Sequence, residues 1–377
     1  MLVRYFSAFL IAIVVTAAGR SNSALAQAAA TPPAPNDQST AGKDMTALLS
    51  ALAARMDAFP TDYNNDAKVA HLEKLLEQPL APQDRLHTQF LLAEELLKAG
   101  RTEDAIKGFN AFLNSVESAA PQIYARSQTY FKTRLAIAYL RLGEQNNCIH
   151  HHNPDSCLFP IANSGVHANR EGSLKARALL EELLRKDADY LPARWLLGIA
   201  SMTLGDYPES VPKAWRFPSD AFQSEHDIKR FPDIAAKVGL GVDGLAGGVC
   251  MEDFDNDGYL DLIASSWGYT HQLRYFRNTG DGSFSDLTES AGLTGIIGGL
   301  NLIHADYDND GDTDVFILRG AWHDTVGEHP NSLLRNNGDN TFTDVTRKSG
   351  VLSFRPTQTA AWFDYDNDGW LDLFIAN

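Results

Sequence analysis

Cysteine is scarce in this chain, and so is positive charge. Its 377 residues include 3 Cys, and 48 Asp and Glu outnumber 32 Lys and Arg to give a formal net charge of −16. A protein that binds nucleic acid needs a basic stripe for the phosphates, so the acidic excess argues against that class of partner. The 44% hydrophobic content is enough for two domains and argues against disorder.

Familiar catalytic motifs are missing as well. The sequence contains no G-x-S-x-G, no H-E-x-x-H and no Walker loop. Gly239, Gly241 and Gly244 satisfy G-x-G-x-x-G, but a dinucleotide site needs a helix directly after these glycines. Here the chain runs on into an acidic loop instead. We therefore expect a protein that is not an enzyme.

One long apolar run is present, at the N-terminus. Arg4 precedes an apolar stretch at residues 6–18, which is short for a membrane span, and an A-x-A cleavage site follows at residues 24–26. Residues 1–26 are predicted to be a secretory signal peptide, with an uncleaved anchor as the alternative. The absence of a following Cys argues against a lipoprotein. We expect a periplasmic, secreted or cell-surface protein with no membrane span after cleavage.

Two segments of different character follow. Residues 27–43 are rich in Ala, Pro and polar side chains and are predicted to be a flexible linker. Residues 44–217 have helical periodicity, and three stretches within them repeat small residues, Gly and aromatics at fixed offsets. The repeated positions are Leu92, Ala93, Gly100, Ala105 and Phe109, then Leu135, Ala136, Tyr139 and Gly143, then Leu197, Gly198, Gly205 and Tyr207.

These offsets resemble the 34-residue tetratricopeptide repeat. The resemblance implies a solenoid of helical hairpins that offers a concave surface to a protein or peptide. Generic amphipathic helical hairpins are the alternative, and they would change the family more than the architecture.

After about residue 217 the pattern changes to short alternating strands and turns rich in Gly, Asn and Asp. An acidic loop occurs three times there, beginning at Asp253, Asp306 and Asp364. Carboxylates at loop positions 1, 3, 5 and 9, with Gly at position 6, form the all-oxygen cage that Ca²⁺ prefers. Without a cation these charges would repel one another strongly. Solvated acidic turns that hold no ion are the alternative.

An EF-hand can be excluded, because that motif needs Glu at position 12 and a helix on each side. Position 12 is Ala264, Ile317 or Ile375, and apolar residues typical of buried strands follow each loop. A second motif, R-N-x-G-D, recurs with the loops from Arg277 and Arg335. Units of fifty-odd residues made of strands and turns are typical of propeller blades, so we predict calcium loops within β-hairpins.

Residues 231–377 resemble the FG-GAP/VCBS repeats of integrin-α-type β-propellers, in the ASPIC/UnbV and cartilage-acidic-protein-like branch. The resemblance implies a propeller stiffened by structural Ca²⁺ that contacts another protein or a glycan. It also implies the ligands. These are the carboxylates of Asp253, Asp255, Asp257, Asp261, Asp306, Asp308, Asp310, Asp314, Asp364, Asp366, Asp368 and Asp372, with the main-chain carbonyls of Tyr259, Thr313 and Trp370.

The propeller predicted from this sequence is incomplete. Such propellers close with at least four blades, whereas two full units are present and a third stops at Asn377. The segment from Phe231 to Leu240 echoes the end of one unit and predicts a strand before the first loop. We expect a fragment or truncated product whose unpaired strand edges associate.

Cysteine and histidine concentrate in an insertion at residues 146–168. In an oxidising compartment Cys148 and Cys157 are expected to form a disulfide. The alternative is a copper or zinc site with the thiolates as soft ligands, although a His run also suits a solvated turn. Its candidate imidazole ligands are His150, His151, His152 and His167. The third thiol, Cys250, lies in a predicted strand and is expected to be buried and inert.

Further aromatic and histidine side chains follow the predicted blade strands, where they are suited either to ligand contact or to packing. They are Trp267, Tyr269, His271, Trp322, His323 and His329.

The sequence as a whole predicts a multidomain α plus all-β chain, a helical repeat solenoid followed by propeller blades. We expect a calcium-binding, non-enzymatic interaction, scaffold or adhesion protein. The alternative is a copper- or zinc-binding redox or metal-handling protein built on the insertion.

Overall fold

A computed structural model describes residues 44–57, 60–61, 63–149, 153, 155–156, 158–218, 220–223, 225–226, 231–321, 323 and 327–377. The predicted signal peptide and linker, His150, His151, His152, Cys157 and Trp322 lie outside the described residues. The described chain is helical in its first part and made of strands in its second, as predicted. None of the helices described is both long enough and apolar enough to cross a membrane.

The described residues form seven α-helices. They are α1 (Met45–Asp57), α2 (Asn65–Leu76), α3 (Pro82–Lys98), α4 (Thr102–Ala119), α5 (Pro121–Glu144), α6 (Glu171–Lys186) and α7 (Leu191–Thr203). A π-helical turn, Gln145–Ile149, continues α5, and 3₁₀ turns lie at Asn163–Gly165 and Lys213–Trp215. From α2 to α7 each helix packs on its neighbours in sequence, which confirms the predicted helical hairpins.

Small residues allow these helices to approach closely, as predicted. Ala93 and Ala105 are fully buried, and a Cβ added to Gly108 would lie 3.1 Å from the Ala93 Cβ. Gly100 follows α3 with φ +78°, the left-handed conformation that a turn between helices requires and that other residues adopt poorly. The turn and the contact face of this hairpin therefore both follow from residue size.

Large apolar side chains fill the space between the helices. Phe109 is buried between α3, α4 and α5, and Leu180 and Leu197 belong to a second cluster around α6 and α7. The Arg134 guanidinium donates to the Glu94 carboxylate at 2.6 Å, which links α5 to α3. Burial of apolar surface at about 25 cal/mol per Å² is the main stabilisation of this region.

The described residues also form ten strands. They are β1 (Ala246–Glu252), β2 (Asp261–Ser266), β3 (Arg274–Asn278), β4 (Phe284–Asp286), β5 (Asn301–Ala305), β6 (Asp314–Leu318), β7 (Ser332–Asn336), β8 (Phe342–Asp344), β9 (Thr359–Phe363) and β10 (Asp372–Ala376). Strands β1–β4 and β5–β8 form two four-stranded antiparallel sheets in sequence order, and β9 pairs with β10. Four strands in sequence order are typical of a propeller blade.

The first strands of the two four-stranded sheets lie against each other. A Cβ added to Gly248 of β1 would lie 2.6 Å from the main-chain nitrogen of Leu302 in β5. Only glycine permits this approach of the two backbones. Buried side chains from both sheets, among them Ile263, Tyr275 and Ile317, then share one core. Phe316 on the other face packs towards Trp362 of the third sheet.

Helix α1 packs on the sheets. Met45, Leu48, Leu49 and Leu52 are buried in the core that contains Ile296 and Ile317. Their spacing of three and four residues places them on one face of the helix. The first helix of the described residues is thus part of the core of the sheets.

The strand predicted from Phe231 is absent from residues 231–245, and that prediction was wrong. Pro232 cannot donate a ladder hydrogen bond, and a turn ending at Gly239 (φ +90°) follows. The segment nevertheless makes the same hydrogen bond as its counterpart in the next unit. The carbonyl of Val238 accepts from the Phe284 N–H at 2.8 Å, as the carbonyl of Ala291 accepts from the Phe342 N–H at 2.9 Å. The segment takes the place of a turn between units.

Candidate metal centres

The three acidic loops connect β1 to β2, β5 to β6 and β9 to β10, so they lie in β-hairpins as predicted. In the first loop Asn256 and Gly258 both have positive φ, 56° and 89°. Asn and Gly are the residues that adopt this conformation most readily, and the other two loops repeat it. The repeated N-D-G therefore sets a tight turn that brings the carboxylates together.

Three carboxylates of each loop converge, namely those at positions 1, 3 and 9. Within each set the ligand oxygens all lie within 4.8 Å of one another. The sets are Asp253, Asp255 and Asp261, then Asp306, Asp308 and Asp314, then Asp364, Asp366 and Asp372. Oxygen atoms alone at this separation suit a hard cation such as Ca²⁺.

The first Asp of each loop is held by main-chain N–H groups. The Asp253 carboxylate accepts from the Asp257 N–H at 3.0 Å and from the Gly258 N–H at 2.8 Å. Asp306 and Asp364 accept from the corresponding N–H groups of their own loops. The turn therefore orients this carboxylate before any cation binds.

The ninth residue ties each of the first two loops to the companion R-N-x-G motif. Asp261 accepts from the Asn278 N–H at 2.7 Å, and Asp314 accepts from the Asn336 N–H at 2.8 Å. Both carboxylates are buried. Burial raises the pKa of Asp261 and raises the pKa of Asp314 to about 7, because the charged form is poorly solvated there. A cation would reverse that preference.

The carboxylate at position 5 of each loop does not converge with the other three. The carboxylates of Asp257, Asp310 and Asp368 lie outside the three converging sets. Each accepts from the N–H group two residues along the chain, at 2.9 to 3.0 Å. Their predicted role as calcium ligands stays a prediction, and in this structure Oδ1 of each carboxylate closes the turn.

One predicted carbonyl ligand is one residue away from position 7. Counted from Asp306, Thr313 is the eighth residue of its loop, and its carbonyl accepts from the Asn336 side chain at 3.3 Å. The carbonyl of Leu260 accepts in the same way from the Asn278 side chain at 3.1 Å. Position 7 of the second loop is therefore Asp312, which corresponds to Tyr259 and Trp370.

The first two loops differ in their counter-charge. In the first, Arg277 is paired with both Asp255 and Asp257. In the second, the equivalent Arg335 donates to the Asn337 side chain, and its Nε has no hydrogen-bond partner. The Oδ1 of Asp308 is likewise buried without a partner, and burial raises the pKa of this carboxyl. An orphaned buried carboxylate oxygen in an all-oxygen cage fits a hard cation.

The sequence reasoning missed the contacts between loops. Asn256 donates from Nδ2 to the Asp312 carboxylate at 2.8 Å, and Asn309 donates to the carbonyl of Gly369 at 3.1 Å. Each contact joins one loop to the next. The signal for them was the Asn that occurs at position 4 of every loop.

In the Cys/His insertion, His167 is the described candidate ligand. Its ring is buried, with Nε2 at 3.8 Å from the Cys148 Sγ and Nδ1 at 3.3 Å from the Ser173 hydroxyl. Burial lowers the pKa of His167, so the neutral ring that binds metals is favoured. Cys250 is buried in β1 as predicted, and burial raises the pKa of its thiol to about 12.

The aromatic and histidine residues after the blade strands pack on one another. The Tyr269 ring lies 4.4 Å from that of His329 and 4.6 Å from that of His323, and Trp267 lies 6.0 Å from His323. His271 is held by the Ser266 hydroxyl at 2.9 Å. Of the two alternatives left open by the sequence, the structure shows packing among Trp267, Tyr269, His323 and His329.

Comparisons with known proteins agree with this part of the chain. The model of the FG-GAP-like repeat matches residues 253–317 and 306–375. The chain is similar to cartilage acidic protein 1 of Xenopus tropicalis, at 30% identity over 174 residues. It is also similar to cartilage acidic protein 1 of Mus musculus, at 28% identity over 161 residues.

The similarity covers part of each protein. The matches span 42% and 39% of this chain, and 25% and 23% of the Xenopus tropicalis and Mus musculus proteins. The chain thus spans about a quarter of the length of the curated relatives it matches. The chain contains FG-GAP-like repeats with the acidic triads typical of their calcium sites.

Proposed function

We propose that the protein is an exported, calcium-binding interaction or scaffold protein without catalytic activity. A tetratricopeptide-like helical arm would offer one surface to a protein or peptide. Propeller blades would offer a second surface to another protein or a glycan. The observation that supports calcium binding most directly is the second acidic loop, where a buried Asp308 oxygen has no partner among three converging carboxylates.

Calcium has a structural role in this proposal. It would be held by the carboxylates at positions 1, 3 and 9, with the carbonyl at position 7 as a further ligand. The bound ion would supply the positive charge that removes repulsion between these carboxylates. The loops themselves orient the ligands, since main-chain N–H groups fix Asp253 and Asp261 in the first hairpin. Held hairpin turns would keep the blades rigid enough to present a binding surface.

Thermal unfolding of the full chain, in millimolar Ca²⁺ and in EDTA, tests the calcium proposal. Calcium is expected to stabilise the sheets by about 1–3 kcal/mol per occupied site, through preferential binding to the folded state. Glu289→Gln serves as a control, because this exposed carboxylate lies outside the loops. An unchanged midpoint in EDTA would refute the proposal.

An exposed aromatic patch supports an interaction surface on the helical region. Trp195 and Phe159 are 47% and 45% exposed, and their rings lie 5.6 Å apart. Exposed apolar patches of this kind mark sites of protein contact. Trp195→Ala should abolish capture of a partner by the full chain without changing its calcium-dependent stability. Equal capture by both proteins would exclude this patch.

A second candidate function is the handling of copper or zinc. The observation that favours it is the 3.8 Å separation of the Cys148 Sγ and the His167 Nε2, close to that of two ligands of one tetrahedral ion. Metal analysis of the purified chain and of its Cys148→Ser and His167→Gln variants tests it, with His87→Gln as the control. Equal metal content in all four proteins, or a Cys148–Cys157 disulfide by mass spectrometry, would exclude it.

A further inference from the structure

A small cavity lies where α1 meets the first two sheets. Its volume is about 20 Å³, which is room for one or two water-sized spheres. Its walls include Leu49, Tyr269, Ile297, Arg319, His323 and His329. No Asp or Glu is among these described wall residues, and this cavity is separate from the acidic loops.

Arg319 brings a buried positive charge to the cavity. The side chain is 2% exposed. Its Nε donates to the carbonyl of Ile297 at 2.8 Å, and its Nη1 donates to the carbonyl of Pro330 and to the Ser332 hydroxyl. These acceptors fix the guanidinium but are all neutral. Its Nη2 is buried without a hydrogen-bond partner.

Three further side chains add buried polar atoms without partners. They are both ring nitrogens of His329, the Nδ1 of His323 and the hydroxyl of Tyr269. His329 and His323 are 4% and 7% exposed. Such groups are normally hydrogen-bonded in folded proteins, because leaving a buried polar atom without a partner destabilises the fold. Four side chains with this defect around one cavity indicate a missing ligand.

The charge around the cavity decides the nature of that ligand. Burial is the main cause that lowers the pKa of His329, and the positive charges of Arg319, His323 and Arg55 lower it further, so positive charge surrounds a neutral ring. Burial lowers the pKa of Arg319 only to about 10, so the guanidinium stays charged at neutral pH. The negative charge of Asp344 acts against this lowering of the Arg319 pKa, but no ion pair joins the two side chains. A buried cation whose direct partners are all neutral favours an anion over water.

We propose that this cavity binds a small monovalent anion, of which chloride is the probe. The Nη2 of Arg319 and the Tyr269 hydroxyl would donate to it, together with an N–H of His329. Arg319 lies directly after β6, Tyr269 lies beyond β2 and Leu49 belongs to α1. The bound anion therefore joins both sheets at the place where α1 covers them. This site is independent of the calcium proposal.

The test uses the full chain with Ca²⁺ held constant as the gluconate salt. Thermal unfolding is followed in sodium chloride and in sodium gluconate at equal ionic strength, because gluconate is too large for the cavity. Chloride binding is measured separately from the ³⁵Cl NMR linewidth. We expect chloride to raise the unfolding midpoint above its value in gluconate, and the protein to broaden the ³⁵Cl signal saturably.

Variants assign the effect to the cavity. Arg319→Gln should weaken chloride binding at least tenfold, and Tyr269→Phe should weaken it about tenfold through one lost hydrogen bond to a charged group. Tyr269→Phe otherwise preserves packing, so it decides the matter if Arg319→Gln fails to fold. Arg274→Gln removes an exposed arginine paired with Asp286 and should bind chloride as the parent does. Equal midpoints in chloride and gluconate, or unaltered binding by Tyr269→Phe, would overturn the proposal.

Discussion

The first and second acidic loops have nearly the same sequence but different electrostatics. In the first loop Arg277 pairs with Asp255 and Asp257, so part of the negative charge is neutralised within the protein. In the second loop Arg335 has turned to Asn337, and Asp308 retains a buried oxygen without a partner. The loop motif alone therefore does not determine how strongly a site requires a cation. We expect the orientation of the companion arginine to contribute to this difference between the sites.

The largest expected difference concerns the stabilisation that Ca²⁺ provides. Asp308→Asn should lower the calcium-dependent gain in unfolding free energy by about 1–3 kcal/mol, because Asp308 has no direct ion pair with an arginine. Asp255→Asn should lower it less, because Ca²⁺ has to displace Arg277 there. Urea unfolding of both variants in Ca²⁺ and in EDTA measures the difference. Equal losses would remove the distinction between the loops.

The second prediction concerns pH in the chelated protein. Burial raises the folded-state pKa of Asp314 to about 7, well above its unfolded value. The folded state then binds the extra proton, so stability due to this group is full at low pH and is lost as pH rises towards 7. The free energy of unfolding lost between low and neutral pH is a few kcal/mol, at about 1.4 kcal/mol per pKa unit.

Unfolding in EDTA at pH 5 and pH 7, for the parent and for Asp314→Asn, measures this term. The variant should lose less stability than the parent between the two values. Parallel pH profiles would show that the Asp314 carboxylate is not the group responsible.

The third prediction is that Asp255→Asn and Asp308→Asn change the stability of the protein in EDTA in opposite directions. Asp255→Asn should destabilise the metal-free protein by about 1 kcal/mol, because it removes an ion pair with Arg277. Asp308→Asn should stabilise it by a similar amount, because it removes a charge that Asp310 and Asp306 repel and whose Oδ1 is buried without a hydrogen-bond partner. Chemical denaturation at neutral pH resolves both changes. The same sign for both would contradict the pairing of Arg277.

The smallest effect is expected at the arginines. Arg277→Gln should tighten calcium binding at the first loop by a few-fold, because it removes a cation that competes for Asp255. Arg335→Gln should change binding less, since no ion pair joins Arg335 to the second loop among the described residues. Isothermal titration calorimetry measures both, and equal changes would show that the two arginines act alike.

Much of this fold could be predicted from residue types. The positive φ of Asn256 and Gly258, the helix contact at Ala93 and the burial of Cys250 all follow from local size and backbone preference. The pairing of Arg277 and the turning away of Arg335 could not, because identical motifs have different neighbours in space. The Asn repeated at position 4 marks Asn256 as a residue of interest, but it does not identify Asp312 of another loop as its partner.

The strand predicted at Phe231 was wrong for a related reason. The residues of that segment do repeat later in the chain, but a repeat defines a position in a unit and not its hydrogen-bonding pattern. Pro232 and the turn ending at Gly239 decide the local conformation there. The cavity around Arg319 was also hidden, because its walls come from four separate stretches of chain.

The position of α1 has a consequence for how the chain folds. Leu49 shares a core with Ile296 and Ile317, more than two hundred residues further on. Contacts of such long range form slowly, because a large loop has to close before they are gained. The hairpins α3–α4 and α6–α7 need only neighbouring residues. During synthesis α1 would therefore be made first among the described elements yet reach its native contacts late, with its apolar face open to chaperones meanwhile.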